Sequence, residues 1–196
     1  MTGRRERTKA ANRTAILAAA REVFSAHGYD AVGVRDIIRR TDLASGTFYN
    51  YFPDKASIFR ALVEETAAEA RRRVRAGRQS PEGLIEGGFR AFFSFIADDP
   101  VTFAFLRRNL GTIREQFQDA ALPAGIGELE ADLRAAVAAG TLPPVDVVYC
   151  AHAMAAVALE LGELLVARRP PDVEGATRFA SALFSGGLER PASALH

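Results

Sequence analysis

Apolar residues recur at helical spacing along most of the chain, and clusters of Gly and Pro divide the pattern into segments. The segments predict about nine helices, near residues 9–27, 34–40, 45–51, 54–75, 82–97, 100–118, 124–139, 145–168 and 173–188. In the first, Ile16, Ala20 and Phe24 share one face, and Gly28 follows as a predicted C-cap. No segment alternates apolar and polar residues over a strand's length, so the pattern predicts an all-α protein.

The helices at 34–40 and 45–51 are short, and only about four residues separate them. With the long helix before them they predict a helix-turn-helix, whose second helix enters the major groove of DNA. Phe48 and Phe52 lie four residues apart, so we expect them to anchor the second helix to its neighbours. The rest of its circumference offers hydroxyls and amides that suit phosphates and base edges. These residues are Ser45, Thr47, Tyr49, Asn50 and Tyr51. For the two tyrosines, plain packing is the alternative interpretation.

Lys55 falls in the first turn of the following helix, for which Asp54 is the predicted N-cap. A cation at this position opposes the helix dipole, so we expect the lysine to meet an anion. A phosphate fits, because the free N–H groups of the same helix end favour it too.

Charge is distributed unevenly along the 196 residues, whose formal net charge is +1. Residues 1–60 contain eleven Lys and Arg against six Asp and Glu, which gives +5 and leaves −4 for the remainder. This division suggests a basic module directed at a polyanion. The basic arm at residues 4–13 either follows a DNA backbone, lies in a minor groove, or is a solvated tail.

Several classes of protein are disfavoured by what the sequence lacks. Cys150 is the only cysteine, which precludes an intrachain disulfide and fits a reducing compartment. The N-terminal stretch has no apolar signal-peptide core, and the uncharged run 147–159 is shorter than the ~20 residues that span a bilayer. We therefore expect a cytoplasmic protein without a membrane partner. The His and Cys spacings fit no metal site, and no phosphate loop or nucleophile elbow is present, so we expect no enzyme, metal or cofactor.

The stretch "ILAAAREVFSAHGYDAVGVRDIIRRTDLASGTFYNYFPDKASIFRAL" resembles the DNA-binding region of TetR-family transcriptional regulators over about residues 12–62. Its most specific part is "GTFYNYF", residues 46–52, followed by Lys55. The resemblance implies that Thr47, Tyr49 and Lys55 contact the DNA backbone. It also implies base or backbone contacts from Arg35, Ser45, Gly46, Asn50 and Tyr51. The chain departs from the family at two cap positions, where Gly33 and Ala44 replace the usual Ser or Thr.

The same resemblance implies a helix-turn-helix domain at 1–60 and a ligand-binding and dimerisation domain at 61–196. Family dimers form through the last two long helices, which here carry small and apolar residues suited to a helix interface. The candidate dimer residues are Ala151, Ala155, Ala158, Gly162, Phe179 and Leu183. Packing within one subunit is the alternative for each of them.

Phenylalanines and arginines are concentrated in residues 89–117. The candidate ligand-binding residues are Phe89, Phe92, Phe93, Phe103, Arg107 and Arg108. An apolar cavity needs such a lining, although core packing and surface ion pairs are the alternatives. This segment resembles that of the TetR-family repressors that control unsaturated fatty-acid synthesis, which implies a long-chain acyl thioester or fatty acid as effector.

These observations together predict a homodimeric regulator, most simply a repressor that a hydrophobic small molecule releases from double-stranded operator DNA. The alternative is a helical lipid-binding or carrier protein without sequence-specific DNA binding. The basic helix-turn-helix argues against that alternative.

Overall fold

The computed structural model describes residues 2–116 and 122–188, with the side chains of positions 2, 4, 116, 122, 123, 187 and 188 excluded. Within these ranges the chain forms ten helices and no strand, which confirms the all-α prediction. The helices are α1 (Thr2–His27), α2 (Val34–Ile38), α3 (Ser45–Tyr49), α4 (Lys55–Arg78), α5 (Leu84–Asp98), α6 (Pro100–Arg108), α7 (Leu110–Gln116), α8 (Leu122–Ala138), α9 (Val147–Ala167) and α10 (Val173–Leu188).

The extra helix arises because the segment predicted as one helix at 100–118 is interrupted at Asn109, which is 2% exposed. The Asn109 amide nitrogen donates to the main-chain oxygens of Phe24 (3.2 Å) and Phe105 (2.7 Å). Its amide oxygen accepts from the N–H of Tyr29 at 2.7 Å. Asparagine competes well for main-chain groups, and here it separates α6 from α7. The predicted end of this segment, residues 117 and 118, lies outside the described residues.

Contacts divide the chain into two compact units, residues 1–66 with 101–119 and residues 67–100 with 120–196. This division differs from the predicted boundary at residue 60, because residues 101–119 return to the first unit. The reason is the Phe105 ring, which lies 6.4 Å from the Phe24 ring and 5.5 Å from the Phe59 ring. Helix α4 contributes its first half to one unit and its second half to the other.

The first unit has an aromatic core. The Phe59 ring meets the Phe24 ring edge-on at 5.3 Å and the Tyr29 ring at 4.6 Å. Ile16 and Leu62, on the same helices as Phe24 and Phe59, are also fully buried. Gly28 ends α1 with φ +82°, as its predicted C-cap role requires. Aromatic pairs at these separations add to the stability that burial alone provides.

The second unit packs α5 against α10, α9 and the end of α4. The Phe89 ring stacks on Phe184 at 5.7 Å, which joins α5 to α10. At the crossing of α4 and α5, a Cβ added to Gly77 would lie 2.3 Å from the carbonyl oxygen of Gly87. The two backbones are therefore in direct contact, and this crossing admits no side chain at either position.

Arginine–carboxylate pairs join helices of the second unit. Arg71 of α4 binds Glu128 of α8, and the Arg78 Nε lies 2.7 Å from Asp132 Oδ2 one turn further along. Arg90 of α5 pairs with three glutamates, two near its own helix and one on α10. These are Glu82, Glu86 and Glu174. Hydrogen bonds from Arg71 hold the pKa of Glu128 below its ordinary value, because they favour the charged carboxylate.

Helix α9 is apolar along its length. Within the described ranges it is the one helix whose length and mean hydropathy, 1.6, would allow it to cross a membrane. Its Asp146 N-cap accepts hydrogen bonds from the N–H groups of Val148 and Tyr149, both at 3.0 Å. Only 28% of its most apolar window is buried in the single chain.

Candidate nucleic-acid interface

The first short helix, α2, is held by Ile37, which is fully buried in the first unit. Gly33 is its N-cap, and the Gly33 N–H donates to the Asp36 carboxylate at 2.9 Å. Ala44 caps α3 without any side-chain hydrogen bond. Both residues therefore occupy the cap positions that the sequence predicted. Arg35 projects from the exposed side of α2 and, among the described residues, has no ion-pair partner.

The second short helix, α3, is fixed by the two phenylalanines that the spacing selected. Phe48 is fully buried and Phe52 is 5% exposed, which confirms their anchoring role. The remaining face of α3 points away from the core. Ser45, Gly46 and Asn50 are exposed, and Thr47 is half-buried.

The exposed side chains of α3 have few partners inside the protein. Tyr49 is 51% exposed, its ring meets Phe48 edge-on at 5.8 Å, and its hydroxyl has no hydrogen-bond partner among the described residues. Within the described ranges the Ser45 hydroxyl and the Asn50 amide likewise make no hydrogen bond. The face therefore presents donors and acceptors that folding does not use.

Gly46 is the least expected residue of this face. It lies inside a helix, where glycine costs roughly 1 kcal/mol relative to alanine. No atom lies within 4 Å of a Cβ added there, and its φ is not positive. Neither packing nor backbone geometry inside the chain requires a glycine here. The absence of a side chain leaves the backbone of α3 open to close approach from outside.

Tyr51 is half-buried, and its hydroxyl accepts a hydrogen bond from the Asn12 amide at 3.1 Å. This contact ties α1 to the end of α3. The hydroxyl retains its own proton, so Tyr51 can still donate to an external acceptor. Its predicted DNA contact stays a prediction, and it now shares the side chain with an internal structural role.

Lys55 has an internal partner that the sequence did not indicate. Its Nζ donates to the main-chain oxygen of Tyr29 at 2.8 Å and lies 4.0 Å from the centre of the Tyr29 ring. Burial, followed by the charges of Asp54 and Asp30, raises the pKa of Tyr29, so its phenol stays neutral at physiological pH. An ammonium group has three donors, and these contacts leave it able to reach a phosphate as well.

Asp54 caps α4 as predicted. Its Oδ1 accepts from the N–H of Ser57 at 2.7 Å, and this hydrogen bond is the main cause of its lowered pKa. The cap places Lys55 at the helix N-terminus next to α3. Arg35, α3 and Lys55 all belong to the first unit, and we use the name α3 face for the polar side chains of these three elements.

The predicted ligand-binding residues do not fall in one unit. Phe89, Phe92 and Phe93 belong to the second, where Phe89 stacks on Phe93 at 5.9 Å. Phe103, Arg107 and Arg108 lie on α6, in the residues that return to the first unit. The Phe103 side chain is 3% exposed. The effector assignment of these residues stays a prediction.

Some of the predicted dimer residues are buried in the single chain, and others are exposed. Ala151, Ala158 and Gly162 are buried in the single chain, and Ala155 is half-buried, so their part in a dimer stays a prediction. Phe179 and Leu183 are 60% and 52% exposed and lie one turn apart on α10. Three apolar residues of α9, which the sequence reasoning missed, are also exposed: Val148, Tyr149 and Leu164. We call these five exposed residues the apolar face.

Sequence reasoning also missed Asn12, Tyr29 and Asn109. Each acts through a partner at least 26 positions away, and no local spacing signals such a contact. No group of three or more His, Cys, Asp or Glu among the described residues is arranged to hold a metal ion.

This arrangement defines a helix-turn-helix protein whose second short helix presents an unpartnered polar face. Comparison with known proteins shows which helix-turn-helix proteins this chain is similar to. Residues 16–62 match the model of the bacterial regulatory proteins of the tetR family. The chain is 36% identical over 75 residues to the HTH-type transcriptional repressor AcnR of Corynebacterium efficiens. That match covers 38% of this chain and 37% of AcnR.

Solved structures extend the similarity in fold beyond the helix-turn-helix. The fatty acid degradation regulator FadR from Bacillus halodurans matches with a TM-score of 0.78 at 20% identity, over 91% of this chain and 97% of FadR. The ketosteroid transcriptional regulator KstR2 of Mycobacterium tuberculosis matches with a TM-score of 0.69 at 19% identity, over 92% and 96% of the two chains. The predicted resemblance is confirmed: residues 16–62 match the tetR family model, and the solved structures share the fold of the chain.

Proposed function

We propose that this chain is a DNA-binding transcriptional regulator that recognises its operator through the α3 face. The observation that carries the proposal is the match of residues 16–62 to the tetR family model, together with the exposure of the second short helix at Ser45 and Gly46. The neighbouring hydroxyl and amide groups of Ser45, Tyr49 and Asn50 support it, because they suit phosphate oxygens and base edges. Repression is the mode of action that the AcnR relative suggests.

The test is a gel shift with the DNA upstream of the protein's own gene, repeated over a range of salt concentrations. We expect a shift that weakens steeply as salt rises, because phosphate contacts release counterions. The matched variants are Gly46→Ala on the α3 face and Gly127→Ala, which is exposed, helical and equally uncrowded in the second unit. Duplex binding that is absent, or equal in both variants, contradicts the proposal.

We infer that the regulator acts as a homodimer joined through the apolar face. Tyr149 and Phe179 are 78% and 60% exposed, although residues of this size are usually buried in a stable single chain. An isologous pairing of α9 and α10 would cover both residues in each subunit. This interpretation also accounts for the mean hydropathy of α9 without a membrane, and it is consistent with the proposed cytoplasmic location.

The proposal includes an apolar effector held among the helices of the second unit. The stacked rings of Phe89, Phe93 and Phe184 support it, because they give α5 and α10 a shared aromatic surface. FadR is a fatty acid degradation regulator and KstR2 a ketosteroid regulator, and both share this fold. The long-chain acyl thioester that the sequence suggested is the first ligand to test, and a ketosteroid is the second.

A calorimetric series of acyl-CoAs, with and without operator DNA, distinguishes these effectors. Each buried CH₂ contributes about 0.8 kcal/mol, so affinity should rise steeply with chain length until the cavity is filled. Ligand and DNA must change one another's affinity by the same factor. If every acyl-CoA binds only in the millimolar range, or leaves operator affinity unchanged, the acyl-thioester assignment is wrong. The same titrations are then made with ketosteroids.

A further inference from the structure

Helix α1 extends well beyond the core of the first unit. It begins at Thr2, whereas its first buried residue is Ile16. All described side chains between positions 3 and 11 are exposed. The basic arm, for which the sequence left open a path along the DNA backbone, a place in a minor groove or a solvated tail, is a helical continuation of α1.

Two basic residues of this extension, Arg5 and Lys9, lie on the core-facing row of α1. Arg5, Lys9, Asn12 and Ile16 are separated by four, three and four residues, which is the spacing of one helix face. The row is apolar where α1 covers the core and becomes basic where α1 projects past it. The same side of α1 is therefore apolar at Ile16 and positively charged at Lys9 and Arg5, which suits contact with a polar or charged partner beyond the core.

Three contacts fix the direction of the extension relative to α3. The Asn12 amide bonds the Tyr51 hydroxyl at 3.1 Å, and Arg13 pairs with Glu65 at 2.5 Å. The Arg13 guanidinium also lies 5.6 Å from the centre of the Phe52 ring. All three contacts lie at the C-terminal end of α3 or beside it. Lys9 and Arg5 therefore project about 4.5 and 10 Å further along the axis, at 1.5 Å per residue.

Among the described residues, neither Arg5 nor Lys9 has a carboxylate partner. Resting on the proposed function, we propose that Arg5 and Lys9 bind phosphates of the DNA strand that borders the groove occupied by α3. The arm lies along the backbone and stays out of the minor groove. A helix with its side chains is about 10–12 Å wide, whereas the minor groove is only about 6 Å wide.

The experiment measures the salt dependence of binding to duplex DNA that the full-length wild-type protein has selected from a random pool. The test variant is Arg5→Ala/Lys9→Ala, which removes two charges per subunit and keeps good helix formers. The control is Arg72→Ala/Arg134→Ala, which removes two exposed charges from the second unit. A dimer that loses four phosphate contacts should lose about 3.6 from its salt slope. The affinity difference from wild type should then shrink about a hundredfold between 50 and 200 mM salt.

A second variant tests the helical arrangement. Ala10→Pro keeps both charges but breaks the helix between them and the core, so it should lower the slope nearly as much. An unchanged slope in Arg5→Ala/Lys9→Ala, or wild-type binding by Ala10→Pro, overturns the inference. A loss that depends on whether the flanking base pairs are A·T or G·C would instead assign the arm to the minor groove. A wild-type protein that selects no duplex overturns the proposed function itself.

Discussion

The two units of the chain differ in the exposed side chains that their proposed partners would use. In the first unit the described Arg5, Lys9 and Arg35 have no ion pair, and the α3 face has free hydroxyl and amide groups. In the second unit Arg71, Arg78 and Arg90 are all paired with carboxylates, and the unpartnered surface is the apolar face. Each unit thus leaves free the groups that its proposed partner can satisfy. A polyanion suits the first, and a second copy of the chain suits the second.

The largest expected effect comes from placing a charge on the apolar face. Phe179→Glu or Leu183→Glu should halve the mass in light scattering, from twice the 21.1 kDa chain mass to the chain mass itself. A buried unpaired carboxylate is costly at an interface. Operator binding should be lost as well, because one subunit supplies only one helix-turn-helix. Val101→Glu is the control, since Val101 is a 44% exposed apolar residue of α6. A wild-type protein that is already monomeric and binds operator tightly would show that the apolar face has another role.

Gly46→Ala should separate binding from stability on the α3 face. The added methyl meets no protein atom, so the free energy of unfolding should stay equal or rise by up to about 1 kcal/mol. Operator binding should weaken by about 1–3 kcal/mol, the usual cost of forcing a methyl into a packed contact. Thermal unfolding and gel shifts on the same sample measure both quantities. Unchanged operator affinity would contradict an operator contact at Gly46.

Asn50→Ala and Tyr49→Phe should distinguish base contacts from backbone contacts. Loss of the Asn50 amide should change the ranking of operator variants by about 1–3 kcal/mol at the affected position. Loss of the Tyr49 hydroxyl should weaken all duplexes by similar factors, and Lys55→Ala should do the same. Because both α3 groups lack internal partners, neither α3 substitution should shift the unfolding midpoint. Equal effects of Asn50→Ala on every duplex would place that amide on the backbone.

The smallest effect concerns the ion pairs of the second unit. The pKa of Glu128 is lowered in the folded state, so its contribution to stability is present above its ordinary value of 4.5 and is lost as pH falls through the folded pKa. Glu128→Gln should therefore destabilise the protein at pH 7, by about 1 kcal/mol or less, and the difference should become smaller towards pH 3. Urea unfolding at the two pH values measures this. Glu64→Gln is the control, because Glu64 is exposed and, in the described part of the chain, unpaired. Parallel losses in both variants would show that the Arg71 pair contributes nothing specific.

Local rules were sufficient to predict much of the α3 face. The four-residue spacing of Phe48 and Phe52 predicted their burial, and the chemistry of Asp54 predicted its cap. Both depend on neighbours within one or two helical turns. The partner of Lys55 was not predictable in this way, because Tyr29 is brought to it only by the packing of α1 on α4. The charge of the lysine predicted an anionic partner, and the structure shows that its Nζ also contacts the main-chain oxygen and the aromatic ring of Tyr29.

The division into units was the least predictable feature. The composition of residues 101–109 suits a cavity lining and a core equally well, so sequence reasoning grouped Phe103 and Arg107 with Phe89. Tertiary contacts decide between these possibilities, and they place α6 in the first unit through Phe105 and Asn109. Similarly, the small residues Ala151 and Gly162 suit any close helix crossing, and both are already buried in the single chain.

The hydrogen bonds of Asn109 also bear on how the chain acquires its fold during synthesis. The helix-turn-helix leaves the ribosome first, but its aromatic core is completed only when Phe105 and Asn109 reach Phe24, 81 and 85 positions earlier. Residues 67–100, which belong to the other unit, must be made in between. Contacts of such high sequence separation form slowly, because the intervening loop must be closed first. A nascent chain that ends near residue 66 therefore lacks the contacts of Phe105 with Phe24 and Phe59, and the core of the helix-turn-helix unit is completed only later in synthesis.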